Sequence, residues 1–263
     1  MMKFLGTALL LILPCACIGS TGSDLVTFDA AAAGPADAIA GQPLTFSTPT
    51  YQVRLDRASL HVGAVYLDQS IPVSGVQATS CILPGTYVAE VTQGLDVDLL
   101  SPQPQLFPVR GAGFATHSRV GEVWLTHGDV DEVTSALPVF TAEGIAERGG
   151  ELFPFVASIS IGANRALPSS DPARPGANPI CKERIVSPIP AELLPSSSGT
   201  LLLRVDPRIL FQAIDFAALT KVEGDPLLFR FEDAPSGPPS IRLYQTLRSA
   251  RSDLYQFEWA AAL

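Results

Sequence analysis

Three histidines are the first places to look for metal or acid–base chemistry in this chain. His61 opens the apolar run LHVGAVYL at residues 60–67, His117 lies in the Gly-rich polar stretch 111–118, and His127 closes the strand-like run EVWLT at 122–126. After His127 comes the densest acidic cluster, Gly128-Asp129-Val130-Asp131-Glu132. A mononuclear transition-metal site takes three or four ligands. No two histidines stand two or four apart, so a site has to be assembled over long range. The candidate ligands are His61, His127, Asp129 and Asp131, with copper or calcium as the ion. A turn at Gly128 could wrap oxygens around calcium, but the twelve-residue spacing of an EF-hand loop is missing. Copper sites in oxidising compartments favour Met, and both methionines stand at positions 1 and 2. Asp96 and Asp98, two apart on a strand-like stretch, share a face and could act as a carboxylate pair.

No catalytic residue is assigned. There is no Gly-x-Ser-x-Gly elbow, no His-Glu-x-x-His motif and no Gly-rich phosphate loop. The stretch SSSGT at 196–200 is a turn composition. The expectation is a protein that binds or supports rather than catalyses, with metal handling as the alternative.

The elements that would hold such residues are short strands. The chain has 21 glycines and 23 prolines, and they punctuate runs rich in Val, Ile, Leu, Phe and Tyr. Tyr51, Val53 and Leu55 alternate with Gln52, Arg54 and Asp56, which predicts one buried and one wet face. The run 60–67 is apolar on both faces and predicts one central strand. Leu83-Pro84-Gly85 predicts a type II turn before a strand at 87–91. Residues 139–146 and 153–161 predict a hairpin around Arg148-Gly149-Gly150. Leu201, Leu203 and Val205 mark another strand, closed by Asp206-Pro207 as cap and first position of a short helix. Ser240 would cap a second helix with Leu243, Tyr244 and Leu247 inward, and Tyr255, Phe257 and Trp259 alternate in a last strand. These elements add up to an all-β fold, a β-sandwich of many short antiparallel strands with one or two peripheral helices. We expect a single domain over 25–263, with the polar loop 164–179 as its main interruption.

The N-terminus speaks to location. Lys3 precedes an apolar run of about ten residues, half of the roughly 20 that a spanning helix needs, so it reads as the core of a signal peptide. Pro14-Cys15-Ala16-Cys17 resembles a bacterial lipobox, in which a small residue precedes the lipidated cysteine. That resemblance implies a signal peptide over 1–16, lipidation at Cys17, a flexible tether over 17–24 and an anchor in the bacterial outer membrane. Secretory cleavage near Gly19 is the alternative, leaving a secreted protein. In an exported chain the two remaining cysteines, Cys81 and Cys181, predict one disulfide. Closing a loop of about 100 residues would contribute about 4–5 kcal/mol in the chain-entropy account. Removing 1–16 leaves 16 basic against 26 acidic side chains, a net of -10. Such a surface argues against nucleic acid as a partner and leaves the lipid as the membrane contact.

Five segments, 60–67, 94–100, 121–126, 161–189 and 199–208, are similar to those of uncharacterised lipoproteins of myxobacteria. That likeness implies a compartment and no activity. LDRASLHVGAVYL at 55–67 and LLLRVDPRILFQAIDF at 201–216 also resemble the MbnP-like periplasmic β-sandwich proteins, which handle copper and pair with a haem partner. This second resemblance implies a copper-handling role, but no ligand set carries over residue by residue.

Overall fold

Period-two burial and tight glycine turns generate the architecture seen in a computed structural model that describes residues 23–70, 85–134, 137–165, 180–234 and 237–262. Cys17, the signal segment, Cys81, the Leu83-Pro84 half of the expected turn and most of the 164–179 loop lie outside the described residues.

In chain order the strands are β1 (Leu25–Ala33), β2 (Leu44–Ser47), β3 (Gln52–Val62), β4 (Ala64–Asp68), β5 (Tyr87–Val91), β6 (Leu95–Asp98), β7 (Gln105–Leu106), β8 (Gly111–Phe114), β9 (Ser118–Trp124), β10 (Pro138–Arg148) and β11 (Glu151–Ser160). There follow helix α1 (Ile180–Arg184), β12 (Ile185–Leu193), β13 (Gly199–Val205), α2 (Arg208–Phe211), β14 (Thr220–Val222), β15 (Asp225–Phe231), α3 (Pro238–Leu247) and β16 (Tyr255–Ala261). The fold is all-β, and the described residues form two sheets. One runs β12-β9-β4-β5-β8-β1-β13-β16 with β7 beside β1, the other β14-β15-β11-β10-β3-β2 with β6 beside β3. Most pairings are antiparallel, but β1 with β13 and β11 with β15 are parallel. No helix among the described residues is long and apolar enough to cross a membrane.

The apolar faces of both sheets meet in one continuous core, from Phe28, Val65, Leu67 and Val123 on one sheet to Leu55, Leu60, Phe140 and Phe155 on the other. Phe155, Phe211, Phe216 and Phe231 pack ring to ring, with centroids 4.9–6.2 Å apart. The expected hairpin is β10–β11, and its turn residues Gly149 and Gly150 have φ of 61° and 86°, the left-handed pair of a two-residue type I′ turn.

Three details differ from expectation. The run 60–67 is not one strand: it breaks at Gly63 and passes from one sheet to the other. A Cβ at Gly63 would sit 2.0 Å from the Thr126 carbonyl oxygen, so only glycine lets the two chains approach this closely. Ser240 does not cap α3; Gly237 holds that position, and the Ser240 hydroxyl accepts from the Glu232 amide at 2.8 Å. Asp206 lies one residue outside the Pro207 cap of α2, where its carboxylate accepts from the amide and guanidinium of Arg208.

Candidate metal centre

Strand β3 ends beside β6, with His61 directly opposite Asp96. Opposed residues on antiparallel strands have Cβ atoms about 5 Å apart, and here the His61 Nδ1 meets Asp96 Oδ1 at 2.7 Å. Past the break at Gly63, β4 lies antiparallel to β9 with Ala64 opposite Trp124. Extending that register by three residues brings His61 opposite His127. The corner is held by the Gly63 amide donating to the Trp124 carbonyl at 2.7 Å and the Leu125 amide donating to the Arg184 carbonyl at 2.8 Å. The two imidazoles stack, with centroids 3.6 Å apart and planes 19° from parallel.

The partners assign the tautomers. His127 Nε2 lies 2.7 Å from the Pro138 carbonyl oxygen, which only accepts, so Nε2 carries the proton and Nδ1 keeps its lone pair. The Asp96 carboxylate likewise draws the proton to His61 Nδ1 and leaves Nε2 as the free donor atom. Ligand atoms of His61, Asp96 and His127 all lie within 4.8 Å of one another. Burial depresses the His61 pKa; the Asp96 hydrogen bond opposes that shift and the neighbouring His127 adds to it. The neutral, metal-binding form is therefore favoured. Gly94 flanks the free nitrogen: a Cβ there would stand 2.7 Å from His61 Nε2. Asp96 also borders an open groove of about 580 Å³ lined by Asp56, Arg57, Ser59, Asp98 and Gln105 among others, so the corner is accessible from one side.

Two nitrogens and a carboxylate oxygen suit a borderline transition metal, and a histidine backed by a carboxylate is the usual support for such a ligand. A ring nitrogen donates in the plane of its ring. Two nearly parallel rings cannot aim at one ion, so joint ligation requires one imidazole to turn out of the stack.

Of the residues singled out from sequence, His61 and His127 come together here, and Asp96 joins them. Asp129 and Asp131 do not. The Asp129 carboxylate accepts from the Asp131 amide at 3.0 Å, and the carbonyls of Asp129 and Val130 accept from the buried Arg184 guanidinium at 3.1 Å. The acidic turn is thus organised by its backbone around Arg184, outside the His61 cluster. Asp98 shares the exposed face of β6 and the same groove with Asp96, as expected, but its carboxylate accepts from the Leu100 amide at 2.9 Å and it stays outside the His61 cluster. His117 is exposed between β8 and β9, outside the cluster. Asp96 as the partner of His61 was missed, because the signal lies in the β3–β6 register and not in local spacing. Cys181 is fully buried, and the Cys81 half of the expected bridge lies outside the described residues.

No family model matches the chain, and no curated protein matches it. The resemblance to the myxobacterial lipoproteins therefore gains no support from these comparisons. Among solved structures the chain is similar to MbnP from Methylosinus trichosporium, with 14% identity, 92% of this chain and 99% of that chain covered, and a TM-score of 0.41. A likeness of that degree adds nothing to the functional reading.

Proposed function

We propose that the protein binds a transition-metal ion, with copper(II) preferred, at His61 Nε2 and His127 Nδ1, Asp96 serving as the carboxylate that orients His61. It would do so as a non-catalytic envelope protein, carried on the lipid anchor that Cys17 leads one to expect. The observation that carries the reading is the convergence of Asp96 and His127, 35 and 66 residues from His61 in sequence, so that ligand atoms of all three lie within 4.8 Å of one another. Copper(II) stands highest among divalent first-row ions for nitrogen and oxygen donors, which is why it is named first.

The test is titration of metal-stripped protein with copper(II), read by electron paramagnetic resonance. One ion per chain with nitrogen hyperfine coupling is expected. His61→Ala and His127→Ala should each weaken binding roughly tenfold or more. Equal affinity in the double variant would overturn the assignment.

A further inference from the structure

On the outer face of the same two strands lies a pair of acids that the histidine corner does not use. Val65, Leu67 and Val123 point into the core, so alternation sends Tyr66, Asp68 and Glu122 to the opposite face. An outward stripe would normally be wet. Yet Asp68 and Glu122 are both 0% exposed. Among the described residues, neither oxygen of Asp68 has a hydrogen-bond partner, nor has Glu122 Oε1. Only Glu122 Oε2 is served, by the Trp124 indole at 3.1 Å and the Tyr87 hydroxyl at 3.4 Å.

The register explains why these groups are neighbours. Tyr66 is opposite Glu122 and Asp68 opposite Val120, so the two acids are diagonal on adjacent strands, within mutual reach. On the other side of β9, Ile185 is opposite Trp124 and Val186 opposite Val123, which makes Ser187 the next residue toward Glu122. The Ser187 Oγ is also buried, meets no well-aligned hydrogen-bond partner among the described residues, and stands close enough to Glu122 to draw that acid's pKa down. Gly85 presses on Asp68 from the fourth side: a Cβ there would stand 2.5 Å from Asp68 Oδ1.

Buried polar groups are nearly always paired. Two ionised carboxylates out of water cost several kcal/mol each unless a cation or a proton offsets their charge. Burial raises the Asp68 acid to about 6, and burial with the neighbouring Asp68 charge raises Glu122 to about 7, while the Trp124 indole pulls Glu122 down. Near neutral pH the pair is poised to lose a proton to any cation that fits. The unserved atoms are all oxygens: two from Asp68, one from Glu122 and one from Ser187. An oxygen-only set with a carboxylate able to bind through both oxygens is the donor chemistry of a hard cation.

We propose that Asp68, Glu122 and Ser187 form a buried site for a calcium-type divalent cation between β4, β9 and β12, separate from the histidine corner in both donor type and location. The ion would tie β12 to β9 and β4 on the face that the core does not hold.

The neighbouring rings supply the probe. Tyr66 lies between Trp124 and Tyr87, with ring centroids 4.7 and 5.4 Å away, so excitation of the aromatics should sensitise a terbium ion bound beside them. Chelator-stripped protein would be titrated with terbium, both in the native state and after refolding from denaturant with terbium present, because the site is closed to water. Saturable emission at one ion per chain, displaced by calcium, is expected. Asp68→Asn and Glu122→Gln, neutral and isosteric, should remain folded by circular dichroism and bind at least tenfold more weakly. His61→Ala should bind terbium as the parent does. Absence of sensitised emission in both preparations would overturn the proposal, as would unchanged affinity in Asp68→Asn. In the first case a proton shared by the two acids, seen as carboxyl carbon shifts titrating near neutral pH, would stand in its place.

Discussion

Strand β4 begins beside two nitrogen donors and ends on a carboxylate. At its start, the stacked His61 and His127 keep donor nitrogens open, and the Asp96 carboxylate beside them is exposed. At its end, Asp68 and its diagonal neighbour Glu122 are sealed from water with three oxygens unserved. Both places depend on the β4–β9 ladder, yet the physics is opposite. Burial disfavours the charged form in both. For a histidine that means a lowered pKa and a neutral ligand ready for a soft or borderline metal. For a carboxylate it means a raised pKa and a charge waiting for a hard one. One ladder thus presents two chemistries by changing the residue type and the side of the sheet.

The largest expected effect separates the two by pH. Asp68 and Glu122 rise from ordinary values of 3.8 and 4.5 to about 6 and about 7 in the fold. An acid with a raised folded pKa binds its proton more tightly when folded. Its stabilisation is complete below the unfolded pKa and is lost as pH climbs through the folded one. Between about pH 4 and 7 the metal-free protein should therefore lose a few kcal/mol across the coupled pair. His61 has a lowered pKa, so its contribution is complete above its unfolded value of 6.5 and is lost as pH falls below it. Urea unfolding in chelator across pH 4.5–7.5 checks this through the difference between the parent and Asp68→Asn/Glu122→Gln. The parent should gain less, or lose more, with rising pH. Parallel curves would remove the contrast between the two sites. Added calcium should recover the loss at pH 7 and do little at pH 4.5.

The next effect breaks one region while sparing the other. In Gly63→Ala the new Cβ would meet the Thr126 carbonyl at 2.0 Å, and both are backbone-bound, so the corner must open. The cost is about 2–3 kcal/mol, or roughly 4–12 °C in Tm for a chain of this size. Copper affinity should fall with it, since His61 and His127 face each other across this junction. Terbium binding at Asp68 should survive, because the pairing of Tyr66 with Glu122 and of Asp68 with Val120 lies further along the ladder. Joint loss of both ions would show that the two regions are one cooperative unit.

How much of this was legible in the sequence follows from range. The β10–β11 hairpin was readable because its turn residues are adjacent and two glycines carry the required φ. The inward faces of β3 and α3 were readable from their periods. The sheet switch at Gly63 was not, because its cause is the Thr126 carbonyl, 63 residues away. The two parallel pairings were hidden likewise, since nothing local distinguishes them. At the histidine corner, His61 and His127 could be named by type, but their meeting is a consequence of the β4–β9 register. Asp129 and Asp131 looked stronger than Asp96 because they crowd His127 in sequence; Arg184 organises that turn through its carbonyls instead. Asp68 and Glu122 left a faint signal, single acids in otherwise apolar runs. Only burial without partners turns that into chemistry.

The smallest expected effect sharpens the reading of the histidine corner. Gly94 has no left-handed φ to explain it, and its Cα faces His61. In Gly94→Ala the added methyl would stand 2.7 Å from Nε2 and 3.1 Å from Cε1 of His61. The His61 ring tip can move away and the Val62 carbonyl oxygen, 3.1 Å from the methyl, needs to give by only a few tenths of an ångström, so the stability cost should be at most about 1 kcal/mol. The ring, however, can move only by loosening its bond to Asp96 or its stack on His127. If Nε2 is the ligand atom and Asp96 the orienting carboxylate, copper should bind roughly tenfold more weakly with almost unchanged Tm. If His61 instead binds through Nδ1, with Asp96 as a direct ligand, the methyl does not cover the donor atom, and only the smaller loss that comes from shifting the ring should be seen. The same variant therefore decides which nitrogen of His61 faces the metal, and terbium binding at Asp68 should not notice it.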